Sequence, residues 1–106
     1  MFEAVLKRMR DAVRQNRHVV TVHARKEMNE DALSIFDVES AILRGSILER
    51  QRDPVTGERK YRIRGETVDS TNQVEVIAKI SPTGKVVIIT VYMPYIPGIE
   101  VNEDEM

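Results

Sequence analysis

Apolar residues recur at three- and four-residue steps through the start of the chain: Val5, Met9, Ala12 and Val13, with Leu6 flanking. Lys7, Arg8, Arg10, Asp11 and Arg14 fall between them. This period predicts an amphipathic helix over Glu3 to Gln15, with Asn16 as its stop. His18 to Val22 is short and β-branched and reads as extended, and Ala24 to Asn29 reads as the beginning of a second short helix. Ser34 followed by Asp37 matches a capping box with Asp in place of the usual Glu. The stripe Val38, Ala41 and Ile42 comes next and is ended by Gly45, so a third helix is predicted there.

Beyond Gly45 the apolar period changes from helical to alternating. Ser46 to Arg52 and Arg59 to Val68 read as strands flanking Asp53-Pro54-Val55-Thr56-Gly57-Glu58, a segment of hairpin-closing residues. In the second of these strands Tyr61 and Ile63 share one face and Lys60, Arg62 and Arg64 the other, so one face is predicted buried and the other basic. Gln73 to Ile80 alternates again, with Val74, Val76, Ala78 and Ile80 together, and Ser81-Pro82-Thr83-Gly84 fits a type I turn. Val86 to Met93 is apolar on both faces, which suits a central strand. The expected fold class is α+β: two or three N-terminal helices packed on a roughly four-stranded antiparallel β-meander. The expected division is an N-terminal amphipathic helix over 1–17, one α+β domain over 18–93, and a Pro/acidic tail over 94–106 that reads as mobile.

A chain of 106 residues can bury one adequate core without staples. It has no cysteine, which removes disulfides and thiolate chemistry and fits a reducing, cytoplasmic setting. The N-terminal stretch is too charged for a secretory signal, and the longest apolar run, Val86 to Met93, falls far short of the roughly 20 residues needed to span a bilayer. No association with a membrane is expected. The net charge of −1 conceals an uneven distribution. Residues 1–26 carry seven Lys/Arg against two Asp/Glu, and residues 44–64 carry seven against three. Residues 27–43 carry five acids and no base, and 65–106 carry seven acids against two bases. A folded basic face and an ordinary solvated surface are both compatible with that pattern.

No phosphate-binding glycine loop, Gly-x-Ser-x-Gly elbow or His-Glu-x-x-His helix is present. A transition-metal site would need His18 and His23 together, and their spacing on an extended segment turns them apart, so neither a metal nor another cofactor is expected. His23 is the residue suited to acid–base work near neutral pH, with Glu27 one helical turn on; the pair reads equally as a helix-stabilising contact. Arg62 and Arg64, with Lys60, form a cationic row on one strand. Arg50 and Arg52 are candidates for a second row on its neighbour. Such a row can clamp phosphates or protect a solvent-facing strand. Tyr61 and Tyr92 are core or rim aromatics on the plain reading.

The order of His23-Ala24, Met28, the Ser34 to Gly45 helix, Tyr61-Arg62-Ile63-Arg64-Gly65 and Val87-Ile88-Ile89-Thr90-Val91-Tyr92 resembles an uncharacterised bacterial family, domain-of-unknown-function family 4258. The match covers roughly residues 18 to 93. That family looks similar, more distantly, to the RelE and BrnT toxin folds, in which helices precede and pack on an antiparallel sheet. Most of those relatives are ribosome-dependent or free ribonucleases neutralised by an antitoxin protein. The resemblance implies an RNA- or ribosome-facing sheet, no metal, and attack by a ribose 2′-hydroxyl. His23 would be the acid or base, Arg62 and Arg64 the phosphate clamps, and Tyr92 a positioning group. The family usually has Arg immediately before the Met and again three residues after it, where this chain has Glu27 and Asp31. The competing expectation is a non-enzymatic protein-interaction or homodimerisation module, with Leu6, Met9 and Val13 as an association stripe.

Overall fold

The computed structural model describes residues 1–94 of the chain. Beyond Pro94, the tail expected over 94–106 lies outside the described residues. The elements run α1 (Glu3–Arg14), β1 (His18–Val20), α2 (Val22–Glu30), α3 (Ile35–Arg44), β2 (Ser46–Arg52), β3 (Arg59–Glu66), β4 (Gln73–Ile80) and β5 (Val86–Tyr92). This is the α+β class read from the change of period near Gly45, and no helix is long and apolar enough to cross a membrane.

Local chemistry accounts for the helix ends. Asn16 takes a positive φ of 59° where α1 stops. Thr21 caps α2, its hydroxyl accepting from the Ala24 amide at 3.1 Å and donating to the Ile89 carbonyl at 3.2 Å, so α2 starts two residues earlier than expected. The α3 capping box is formed, with the Asp37 amide donating to the Ser34 hydroxyl at 3.3 Å and the Ser34 amide to the Asp37 carboxylate at 3.0 Å.

The sheet has five strands in the order β1-β5-β4-β3-β2 rather than about four. β2 to β5 form the expected antiparallel meander, but β1 joins the edge of β5 in parallel, pairing His18 with Val86 and Val20 with Ile88. The extended segment gained a partner because β5 would otherwise leave its outer backbone groups open. The Val86 amide donates to the Arg17 carbonyl and the Thr21 amide to the Ile88 carbonyl, each at 3.1 Å.

One core joins the helices to one sheet face. Met9, Ala12 and Val13 of α1, Ala24 and Met28 of α2, and Val38, Ala41 and Ile42 of α3 meet Ile63, Val74, Val76, Ala78, Val86, Ile88 and Val91. Of the stripe expected for association, Met9 and Val13 pack into the chain's own core, and Leu6 is half-buried. Two glycines let α3 sit close to β3: a Cβ on Gly65 would meet the Ala41 backbone, and one on Gly45 would strike the carbonyls of Arg64 and Ala41. Gly45 ends α3 with φ −93°, so its use is close approach and not a left-handed cap.

Candidate functional site

The sheet face turned away from the helices carries the side chains that the alternation of β3 assigns to it. Tyr61, Ile63 and Gly65 are buried toward the core, and Lys60, Arg62 and Arg64 point to the other side. Register then sets their neighbours. Arg64 lies opposite Glu75 of β4, Arg62 opposite Glu49 of β2, and Glu75 opposite Tyr92 of β5. Two irregularities bring in the outer members. The pairing shifts between Ile47 and Glu49 in β2, and again between Ile77/Thr90 and Ala78/Ile88 where β4 meets β5. Under strict alternation Glu49 would share the face of Ile47, and Tyr92 that of Ile88, both on the core side. Each bulge turns its residue onto the open face.

Glu75 is the centre of the group. Only 2% of its side chain is exposed. Its Oε1 accepts from Arg62 Nη1 and from the Tyr92 hydroxyl, both at 2.7 Å, and its Oε2 accepts from Arg64 Nε at 3.0 Å and Nη2 at 2.6 Å. Arg62 Nε also donates to Glu49 at 2.9 Å. Burial pushes the Glu75 carboxyl up, but the bonds from Arg62, Tyr92 and Arg64 outweigh it and the net displacement is downward. Arg62 is held above its ordinary range by its bonds to Glu75 and Glu49, and the Tyr92 hydroxyl is raised by burial and by its bond to Glu75. Four donors fill the four lone-pair directions of one carboxylate. Glu75 thus fixes two guanidinium groups and a phenol in one orientation.

Three of the four residues singled out in the sequence, Arg62, Arg64 and Tyr92, meet at this point. The fourth does not join them directly. His23 is exposed on α2, with Nε2 at 3.1 Å from Glu27 Oε1, and that same oxygen accepts from the Val91 amide at 3.1 Å. Successive amides of a strand point to opposite edges, so the Val91 bond places α2 at the outer edge of β5, across the strand from β4 and Glu75. The family matched by this sequence is described as Domain of unknown function (DUF4258), over residues 15–93. The chain belongs to this family. No curated protein and no solved structure matches it.

Within the DUF4258 domain, the Glu27 carboxylate receives a β5 amide that no strand pairs. Lys60 approaches Asp53 at 4.0 Å, and Lys79 binds Glu58 through both carboxylate oxygens at 3.0 and 3.1 Å. The cationic row on the open face is therefore matched by anions. Arg50 and Arg52 do not extend it: their partners are Tyr61 and Arg59, which places them on the helix side of the sheet. Glu75 was missed by sequence reasoning. The only local signal is a carboxylate between Val74 and Val76 in a strand buried on both sides of it.

Proposed function

We propose that this DUF4258 domain is a metal-independent ribonuclease of toxin ancestry, with the helix-free sheet face as its RNA surface. The observation that carries this reading is the convergence of Arg62, Arg64 and Tyr92 on the buried Glu75, with two bulges spent on completing the group. Bulges of this kind gather beside functional sites, and side chains locked by packing and hydrogen bonds are the form that preorganised charge stabilisation takes. Arg62 Nη2 and Arg64 Nη1 donate to no group among the described residues, which leaves one N–H edge of each guanidinium for a phosphodiester. Glu75, with all its lone pairs in use, organises the site and does not take the proton. That step falls to His23, oriented by Glu27. The reading also places the protein in the cytoplasm, where RNA, the ribosome and an antitoxin-like protein would be its partners.

A second reading is a non-enzymatic interaction module. It is favoured by the charge balance of the cluster and by the separation of His23 from it. One experiment separates the two. Purified protein is incubated with single-stranded RNA and with ribosomes in EDTA, alongside His23→Ala and the Arg62→Ala, Arg64→Ala pair. The ribonuclease reading expects cleavage that each variant slows by about a hundredfold, the usual cost of removing an acid–base group or an oxyanion donor. RNA left intact in both forms assigns the face to a protein partner.

A further inference from the structure

On the other side of the sheet, where the β2–β3 hairpin extends past α1, the chain builds a groove of about 460 Å³. Its walls bring together Arg8 of α1, Arg52 of β2 and Arg59 of β3, over a floor that includes Tyr61; Glu58 is the one carboxylate and borders it with Lys79 of β4, whose side chain belongs to the open face. Glu58 is already held by both of its oxygens on Lys79. Arg8, Arg52 and Arg59 form no ion pair among the described residues.

The register makes this arrangement costly. Arg52 and Arg59 are direct cross-strand partners, and like charges in that position oppose strand pairing. Arg8 lines the same groove from a separate element. Such a cluster is relieved by a bound anion, and the geometry selects among anions. Each guanidinium can give a two-pronged contact, so three of them lining one groove suit the three oxygens of a phosphoryl group better than the two of a carboxylate. Tyr61 is fixed beneath them by an edge-on contact with Phe2, at a ring separation of 6.1 Å.

We infer that the groove between α1 and the β2–β3 hairpin is a binding site for a phosphoryl group, carried by a mononucleotide or by a nucleic-acid backbone. It lies across the sheet from the Glu75 cluster and stands or falls apart from the ribonuclease reading. Binding leaves all covalent bonds unchanged.

The test follows thermal unfolding of the whole protein in sodium phosphate and in sodium chloride of matched ionic strength, with calorimetric titrations of a mononucleotide, a short single-stranded RNA and polyglutamate. Phosphate should raise the unfolding midpoint above that in chloride, and the Arg52→Ala, Arg59→Ala pair should abolish the difference and weaken RNA binding at least tenfold. The same pair should lower the slope of log affinity against log salt by about two, one for each guanidinium withdrawn from a phosphate. Arg52→Glu supplies a control for folding: it places an ion pair opposite Arg59, so the variant should unfold no earlier than the wild type and still fail to bind. RNA binding much more tightly than the mononucleotide identifies a polymer backbone as the source, and equal affinities identify a single phosphoryl group. Equal stabilisation by phosphate in wild type and the double variant, no stabilisation in either, or polyglutamate binding as tightly as RNA would overturn the inference.

Discussion

Replacing Glu75 by Gln keeps the shape of the side chain and removes its charge, which makes it the sharpest probe of the cluster. A glutamine has one acceptor oxygen and one NH2 donor. If the oxygen faces Arg62 and Tyr92, the NH2 is driven against the Nε and Nη2 of Arg64; turned around, it faces Arg62 and the phenol. In the first orientation two of four bonds are lost and a donor meets donors; in the second the phenol can turn to accept from the NH2, but the Arg62 bond is lost and donor meets donor. Hydrogen bonds to charged groups are each worth about 1.5–3 kcal/mol, and both arginines, 25% and 36% exposed, recover part of that loss from water. The expected cost is about 2–4 kcal/mol. With a urea m-value near 1.5 kcal/mol/M, it should lower the unfolding midpoint by about 2 M at pH 7, read by circular dichroism. The same substitution in an Arg62→Ala, Arg64→Ala background should cost little, because the facing donors are gone. Equal costs in the two backgrounds, or a cost below about 0.5 kcal/mol in the native one, would refute the anchoring role of Glu75.

Acid should expose the same group. The folded Glu75 carboxyl lies below its ordinary value of 4.5, and that of Asp69 falls to about 2 through bonds from Thr71 and Thr67. In the window between unfolded and folded values the unfolded chain binds more protons. Stability is therefore complete above about pH 4.5 and is lost as the pH falls through the folded values. Urea midpoints measured from pH 6 to pH 2 should decline less steeply in Glu75→Gln than in the wild type. Ile88 is fully buried at the centre of the core, and Ile88→Ala should cost about 2–5 kcal/mol by chemical denaturation. Gly65→Ala should cost at least about 1–3 kcal/mol by the same assay, because the new methyl group meets the Ala41 backbone, which can yield only by moving α3.

Local chemistry was enough to write much of this fold in the sequence. The α3 capping box, the Asp53–Glu58 hairpin with Gly57 at φ 73°, and the Ser81–Gly84 turn with Gly84 at φ 84° each depend on residues a few positions apart. The alternation of β3 likewise separated Tyr61 and Ile63 from Arg62 and Arg64, because a strand's period of two is set by its own backbone. Family membership was legible in the order of short motifs between His23 and Tyr92. Tertiary pairing decided the rest. That β1 runs parallel to β5 is decided by backbone groups some 68 residues away, as when Thr21 meets Ile88 and Ile89. Glu75 became the anchor of the candidate site only once β3, β4 and β5 were in register. Glu49 and Tyr92 reached the open face through bulges, each of which reverses the side that plain alternation assigns, and Arg50 and Arg52 were carried to the opposite side by the first of them. A sequence states which face a residue shares with its near neighbours. Only the paired sheet states which charges meet across it.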